Sequence, residues 1–356
     1  MDTIIFEQRR DNLKKALAER KLPSLLISHA ANRYYLSGFE LHDGQCNETS
    51  GWLVITADGE DYLFTDPRFT DAAKRLWPVE TTFIYTSKKH QEVGEFLKSK
   101  GISMLGFDPT VTSLYDHEGL APYTKLIPAR DVVEKLRMYK DPEEIRCMEA
   151  SMALNHKIMH DIKQYLVPGT TEKEISWRIE KMFKENGAEE MAFPSIVGVG
   201  RNAALCHAIP GEDVIREGDM VLIDTGCRLN DYNSDQTRTF WVGDNPSDRF
   251  KEVLEWVQGA QQAAIDMMRP GASLHDGWKA AWDYFDKLGV AQFFTHGLGH
   301  GVGLETHEAP RMSRVAKGVM QPGMVITVEP GLYWDDWGGV RWEHEVLITE
   351  DGCRIL

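Results

Sequence analysis

Residues 220–240 read MVLIDTGCRLNDYNSDQTRTF, and this stretch decides how the second half of the chain is interpreted. The apolar run from Met220 to Ile223 ends at Asp224, and the segment Tyr232 to Phe240 alternates in polarity as a half-buried strand does. Together the segments predict adjacent antiparallel strands on which Asp224 and Asp235 face one point. A lone aspartate at a strand end more often caps a turn, so the pair needs partners before it indicates a site.

Further acids and histidines follow in similar settings. A second apolar run, Met324 to Val328, ends at Glu329, and Glu343 lies within GVRWE. The block HGLGHGVG at 296–303 has glycine at every second position. This pattern predicts a strand beside a cavity, with His296 and His300 on one face. The alternatives are a flexible loop and a phosphate-binding loop, but no Gly-Lys-Ser/Thr motif follows.

These acids predict a site for two divalent cations. Ionised carboxylates about 4 Å apart repel by roughly 4 kcal/mol at an effective dielectric of 20, so four do not converge without cations. The predicted ligands are Asp224, Asp235, His300, Glu329 and Glu343. For Glu343 the alternative is a surface ion pair with Arg341. Such an oxygen-rich set with a single imidazole favours Mn²⁺ or Co²⁺, with Fe²⁺ or Zn²⁺ also compatible. A bridging hydroxide, which bound metal forms near neutral pH, completes the charge balance.

Composition limits the class of protein. A length of 356 residues predicts two domains, and a net charge of −15 argues against nucleic acid or anionic membrane as a partner. The chain has no long apolar run and no signal-peptide pattern, which predicts a cytoplasmic protein. Its five cysteines are scattered, without a Cys-x-x-Cys motif, and are interpreted as reduced thiols.

The chain is predicted to divide into an α/β domain at 1–133 and an α+β domain at 134–356. The second domain contains a weak repeat. Pro168-Gly169 and Pro270-Gly271 each open a predicted helix that ends at a later glycine, Gly187 or Gly289. Asp224 follows Gly218 by six residues, as Glu329 follows Gly323. The pattern predicts pseudo-twofold symmetry, with two carboxylates from each copy at a central site.

The motifs between about residues 190 and 350 resemble those of the pita-bread (M24) metallopeptidases, which include methionine aminopeptidase, aminopeptidase P and prolidase. Residues 1–133 resemble the N-terminal domain of the creatinase and prolidase branch. The resemblance implies that Asp224 and Asp235 chelate one metal and His300 the other, while Glu329 and Glu343 complete or bridge the pair. Glu329 would also act as general acid/base.

The resemblance also implies the residues that handle substrate. His207 and His307 match catalytic histidines of the pocket, and His296 matches one that binds substrate. Arg311 resembles the arginine that holds the free carboxylate of a dipeptide, although a surface arginine is the alternative. Arg341 is assigned to substrate binding as well. Cys206, Trp342 and His344 depart from the usual pattern, and none of the five ligands does.

The implied activity is hydrolysis of the Xaa-Pro peptide bond, preferentially in dipeptides, with the bridging hydroxide as nucleophile. The alternatives are an aminopeptidase P acting on longer peptides, a catalytically silent binding module, and creatinase-like amidine hydrolysis, which the intact ligand set disfavours. Such enzymes are often homodimers, and the polar loop from Glu40 to Ser50 is the candidate segment for reaching the partner's site.

Overall fold

The computed structural model describes residues 3–43 and 48–356, which divide into two compact units, Met1–Arg137 and Met138–Leu356. The sequence predicts the division four residues earlier, between 133 and 134. Cys147, Cys206, Cys227 and Cys353 form no disulfide, and Cys46 lies outside the described residues. Within 3–43 and 48–356 no helix is both long and apolar enough to cross a membrane.

The first unit is an α/β sheet domain, as its alternation of apolar runs and helical stretches predicts. Its helices are α1 Thr3–Glu19, α2 Ala30–Ser37, α3 Thr70–Leu76, α4 Lys89–Ser99, α5 Leu114–Leu120 and α6 Val132–Arg137. Its strands are β1 Ser24–Ile27, β2 Trp52–Thr56, β3 Tyr62–Thr65, β4 Thr82–Ile84, β5 Met104–Phe107 and β6 Lys125–Pro128. The described strands form one mixed sheet in the order β4-β3-β2-β1-β5-β6.

The second unit places four helices around several small antiparallel sheets. Its helices are α7 Pro142–Asp161, α8 Glu172–Glu185, α9 Asp248–Ile265 and α10 Leu274–Lys287. The strands of its first half are β7 Glu190–Met191, β8 Ile196–Val199, β9 Met220–Thr225, β10 Cys227–Leu229, β11 Tyr232–Asn233 and β12 Gln236–Trp241. The strands of its second half are β13 Gly299–Gly301, β14 Glu308–Met312, β15 Val325–Val328, β16 Gly331–Trp334, β17 Gly338–Arg341, β18 His344–Ile348 and β19 Cys353–Ile355.

The predicted repeat is present in the second unit. Gly169 and Gly271 both adopt positive φ (97° and 83°) at the turn before a helix, a conformation that favours glycine. The next helix is capped by Thr171 in the first copy and by Ser273 in the second. Each cap also forms an isolated antiparallel bridge, to Val214 and Val319 respectively. The chain thus builds the same helix-to-strand connection twice.

Each copy packs its helix pair against a sheet with an acid at the end of the central strand. Strand β9 lies between β8 and β12, and β15 lies between β13 and β18. One apolar cluster packs side chains such as Ile175, Ile179 and Phe183 of α8 against β9, and another packs α9 and α10 against β15. These cores fix the two central strands, and therefore the acids at their ends.

Candidate metal centre and substrate cavity

Asp224 and Asp235 are held by the β9–β12 pair, as the sequence predicts. Asp224 lies within β9 opposite Thr237, and Asp235 directly precedes β12. Both residues are buried. The backbone N–H of Asp235 donates to Glu345 Oε1 at 2.7 Å, which anchors the main chain at this position.

Glu329 and Glu343 occupy the equivalent places in the second copy. Glu329 follows β15 directly, and its N–H donates to the carbonyl of Leu298. Glu343 precedes β18, and its N–H donates to the carbonyl of Thr237 on β12 at 3.2 Å. This last bond joins the two copies, so the carboxylates of both sheets meet at one place.

The five predicted ligands converge as a group. His300 Nε2 lies 3.4 Å from Glu329 Oε1 and 3.7 Å from Asp235 Oδ2. Donor atoms of Asp235, His300 and Glu343 all lie within 4.8 Å of one another. Two buried carboxylate oxygens in the cluster, Asp224 Oδ1 and Glu343 Oε1, have no hydrogen-bond partner. Such orphaned oxygens are costly in a protein interior, and they fit a bound cation.

The pKa shifts of the four acids also fit a cluster that binds cations. Burial, together with neighbouring carboxylates, holds the pKa of Asp235 and of Glu343 well above the ordinary range. Burial also raises the pKa of Asp224, against the opposing charge of Arg341. At Glu329 burial acts upward too, but the hydrogen bond and charge of His300 lower its pKa to about 2. With all four carboxylates ionised, the cluster would carry more negative charge than His300 and Arg341 neutralise, and divalent cations would supply the difference.

The glycine-rich block differs from its prediction. The strand spans only Gly299–Gly301, its register shifts between His300 and Gly301, and His296 lies outside it. The prediction that His296 and His300 share a strand face is therefore wrong. The glycines serve close packing instead: a Cβ at Gly299 would lie 1.8 Å from the carbonyl oxygen of Thr327, and one at Gly301 would lie 2.3 Å from that of Ala309.

A cavity of about 500 Å³ opens beside the acids, and the predicted substrate residues line it. They are His207, His296, His307, Arg311 and Arg341. His207, His307 and Arg311 are exposed to solvent. His296 is half-buried, and its Nε2 lies 2.8 Å from the Tyr333 hydroxyl. Burial lowers the pKa of His296, and partial desolvation together with the charge of His300 lowers the pKa of His307, which favours neutral imidazoles in the cavity.

Arg341 has a different environment from the other cavity residues, because its side chain is 3% exposed and engaged by protein. Its Nη2 donates to Asp224 Oδ2 at 2.7 Å, its Nη1 to the Tyr333 hydroxyl at 2.9 Å and its Nε to Thr237 Oγ1 at 3.0 Å. The alternative of a surface ion pair with Glu343 is wrong. The geometry indicates that Arg341 orients Asp224.

The sequence reasoning missed Thr237 and Tyr333. Thr237 Oγ1 donates to Glu343 Oε2 at 2.7 Å, so this hydroxyl connects Arg341 to a candidate ligand. The sequence pattern could have identified Thr237 as a site residue, because Thr237 lies two residues from Asp235 and therefore on the same strand face. Tyr333 connects Arg341 to His296. No motif distinguishes Tyr333 from other buried tyrosines.

The three departures lie around the site. Cys206 lines the cavity next to His207. The Trp342 ring lies 4.3 Å from the guanidinium carbon of Arg238, whose Nη1 donates to the Glu343 carbonyl. His344 lies beside the same guanidinium, and burial together with that charge lowers its pKa to about 4. Both aromatic side chains therefore pack around the arginine behind Glu343.

Comparisons with known proteins agree with this architecture. Residues 146–350 match the model of Metallopeptidase family M24, and residues 9–139 match the Creatinase/Prolidase N-terminal domain. The chain belongs to metallopeptidase family M24. Membership of this M24 family implies divalent metal ions, which the orphaned oxygens and the closely spaced donor atoms of the acidic cluster fit.

Individual relatives extend over the whole length of this M24 protein. It is 34% identical to a Xaa-Pro dipeptidase of Pyrococcus furiosus, over 99% of this chain and 98% of the relative. It resembles a Xaa-Pro dipeptidase structure from Bacillus anthracis with a TM-score of 0.92 at 30% identity, covering 98% and 97% of the chains. An X-Pro aminopeptidase structure from Thermotoga maritima gives 0.85 at 29%, covering 96% and 97%.

Proposed function

We propose that this M24 protein is a dinuclear-metal exopeptidase that hydrolyses the Xaa-Pro peptide bond, preferentially in dipeptides. The observation that carries the proposal is the pairing of His300 with Arg311 as opposite residues on β13 and β14. It puts an exposed guanidinium on the cavity wall beside the acidic cluster. The names of the relatives supply the Xaa-Pro bond itself.

The spacing on that wall suits a short substrate. Directly opposite residues on antiparallel strands have Cβ atoms about 4.5–5.5 Å apart. One peptide residue spans roughly 3.5 Å. A carboxylate one residue beyond the scissile bond therefore lies within reach of Arg311, whose planar fork can bind it through two hydrogen bonds.

In the proposed site Asp224, Asp235, His300, Glu329 and Glu343 would hold two divalent ions, with Mn²⁺ or Co²⁺ preferred and Fe²⁺ or Zn²⁺ compatible. Bound cations would supply Lewis-acid polarisation and more acidic water. Glu329 is proposed to move the proton between attacking water and leaving amine. His207 and His307 face the cavity and are proposed to stabilise charge on the carbonyl oxygen, while His296, oriented by Tyr333, binds the proline side.

The alternative is an aminopeptidase P that acts on longer peptides, and one feature favours it. A shallow groove of about 290 Å³ shares Pro194, Ser195 and Pro210 with the cavity and is lined by Trp177, which is 60% exposed. A residue beyond the proline could lie in this groove. The structure from Thermotoga maritima bears the corresponding name.

A substrate panel tests the choice. We expect the protein to cleave Ala-Pro at least about tenfold better than Ala-Pro amide or Ala-Pro-Ala, because only the free dipeptide carboxylate pairs with Arg311. Arg311→Met should lower kcat/KM for Ala-Pro by about 10–100-fold and leave the amide unchanged. The matched control is Arg314→Met, which alters an exposed arginine outside the cavity lining. Efficient release of alanine from Ala-Pro-Ala would instead establish the aminopeptidase.

We also propose a cytoplasmic homodimer whose partners are peptides rather than nucleic acid or membrane. The base of the loop from Glu40 to Ser50 is held by the buried Arg33, which pairs with Asp43 at 2.9 Å and donates to the Glu40 carbonyl. Residues 44–47 of this loop lie outside the described residues. Light scattering is expected to give twice the 40.5 kDa chain mass, and a monomeric mass would remove the proposal.

A further inference from the structure

A buried ion pair lies outside the acidic cluster and is not used by the proposed mechanism. Lys140 Nζ lies 3.2 Å from Glu308 Oε2, and the two side chains are 1% and 5% exposed. The residues are 168 positions apart in the chain. Removing two charges from water costs free energy, so a deeply buried ion pair does not by itself indicate that the pair stabilises the fold. Glu308 belongs to a turn that lines the cavity, and this position indicates that the pair orients residues of the site.

The backbone holds Lys140 rigidly. It directly precedes Asp141, which caps α7 in a reciprocal capping box with Glu144. The Lys140 N–H donates to the carbonyl of Gly323 at 2.9 Å, in the turn before β15. Gly323 has a φ of 86°, and a Cβ there would lie 3.1 Å from the Lys140 carbonyl oxygen. The ammonium therefore projects from a fixed point.

Glu308 transmits that fixed position to the cavity. Its Oε1 accepts the N–H of Glu305 at 3.0 Å and so closes a turn that contains Thr306 and His307, both of which line the cavity. A Cβ at Gly303 would lie 2.8 Å from the Glu308 carboxylate, so the chain before the turn also packs on this group. The carboxylate thus supports the turn from beneath.

We propose that Lys140 is a positioning residue of the active site, whose buried ammonium holds the Glu305–Glu308 turn through Glu308 and thereby orients His307. Methionine at 140 keeps most of the side-chain volume but removes the charge beside the Glu308 carboxylate. The Glu308 carboxylate then loses its ion pair with Lys140, and the turn that it closes is held less firmly. The assignment of His307 to catalysis rests on the proposed function, whereas the effect on the turn does not.

The first test is hydrogen–deuterium exchange of the metal-free protein. Lys140→Met and Glu308→Gln are each expected to speed exchange of the Glu305 amide at least about tenfold, because loss of roughly one charge-assisted hydrogen bond exposes it. Lys279→Met, which breaks an exposed ion pair with Asp283, is the matched control and should leave this amide unchanged. Unchanged exchange in both test variants would overturn the proposal.

The second test is kinetic. Each variant is expected to lower kcat/KM for Ala-Pro by about 10–100-fold at full metal occupancy, the range typical of groups that orient active-site residues. The double variant should lose no more than the worse single one, since both changes act on one contact. Multiplying losses, or activity within about threefold of the parent, would contradict the assignment. Glu308→Gln leaves the Lys140 ammonium in place and serves if Lys140→Met does not fold. An inactive parent would refute the proposed function, while exchange would still decide the positioning role.

Discussion

Replacing Glu329 with glutamine is expected to lower kcat for Ala-Pro by about 10²–10⁴-fold, the usual contribution of a positioned acid or base. Glutamine keeps the size of the side chain and can still accept the Thr327 hydroxyl bond. It cannot take up or release a proton at this position, next to His300. Steady-state kinetics with metal content measured on the same sample checks the prediction.

The control for this variant is Glu350→Gln, which removes a similar charge from an exposed position. Its kcat should stay within about twofold of the parent, as for most surface changes. If Glu329→Gln kept more than about a tenth of the parent kcat with metal bound, another group would carry the proton and the proposed mechanism would be wrong.

Metal removal is expected to abolish activity and to lower the melting temperature by about 5–10 °C, as loss of a ligand held at ~100 times its Kd predicts for a domain of this size. Adding Mn²⁺ or Co²⁺ should restore both the activity and the melting temperature.

Glu343→Gln should affect the metal-free and the metal-loaded protein differently. In the apoprotein it removes a buried acid whose pKa burial raises, so the melting temperature should hold or rise. With metal present it removes a ligand, and activity should fall at least ~10²-fold.

Differential scanning fluorimetry of chelated and metal-loaded samples measures the thermal part of this prediction. Glutamine at 343 can still accept the hydrogen bond of Thr237, so loss of that bond does not confuse the result. Glu350→Gln again provides the matched exposed change. A chelated parent with unchanged melting temperature and activity would show that the acids bind no functional metal.

Local patterns were sufficient for much of the fold. The apolar run before Asp224 and the alternation around Asp235 predict an antiparallel pair, and β9 and β12 form it. Paired turn glycines predict the repeat, because positive φ is costly for other residues, and Gly169 and Gly271 both adopt it. The glycine-rich block forms a strand only over Gly299–Gly301, which is shorter than predicted, since close backbone packing and strand pairing both select glycine.

Side-chain partners across the two copies could not be predicted in the same way. Arg341 lies two residues before Glu343, yet its carboxylate partner is Asp224. Strand β17 ends at Arg341 before β18 begins at His344, so sequence spacing does not describe their shared environment. The Lys140–Glu308 ion pair could not be predicted either, because no sequence pattern near one residue indicates the other as its partner.

By itself the sequence determined an α/β domain followed by an α+β domain, the repeat and the acids that end its central strands. These depend on period-two alternation, apolar runs and turn glycines, which act over a few residues. Only the tertiary structure decided that His300 lies 3.4 Å from Glu329, that Arg341 supports Asp224 and that Lys140 lies beneath the His307 turn. Such contacts depend on how the two copies pack, because buried charges must find partners wherever the packing places them.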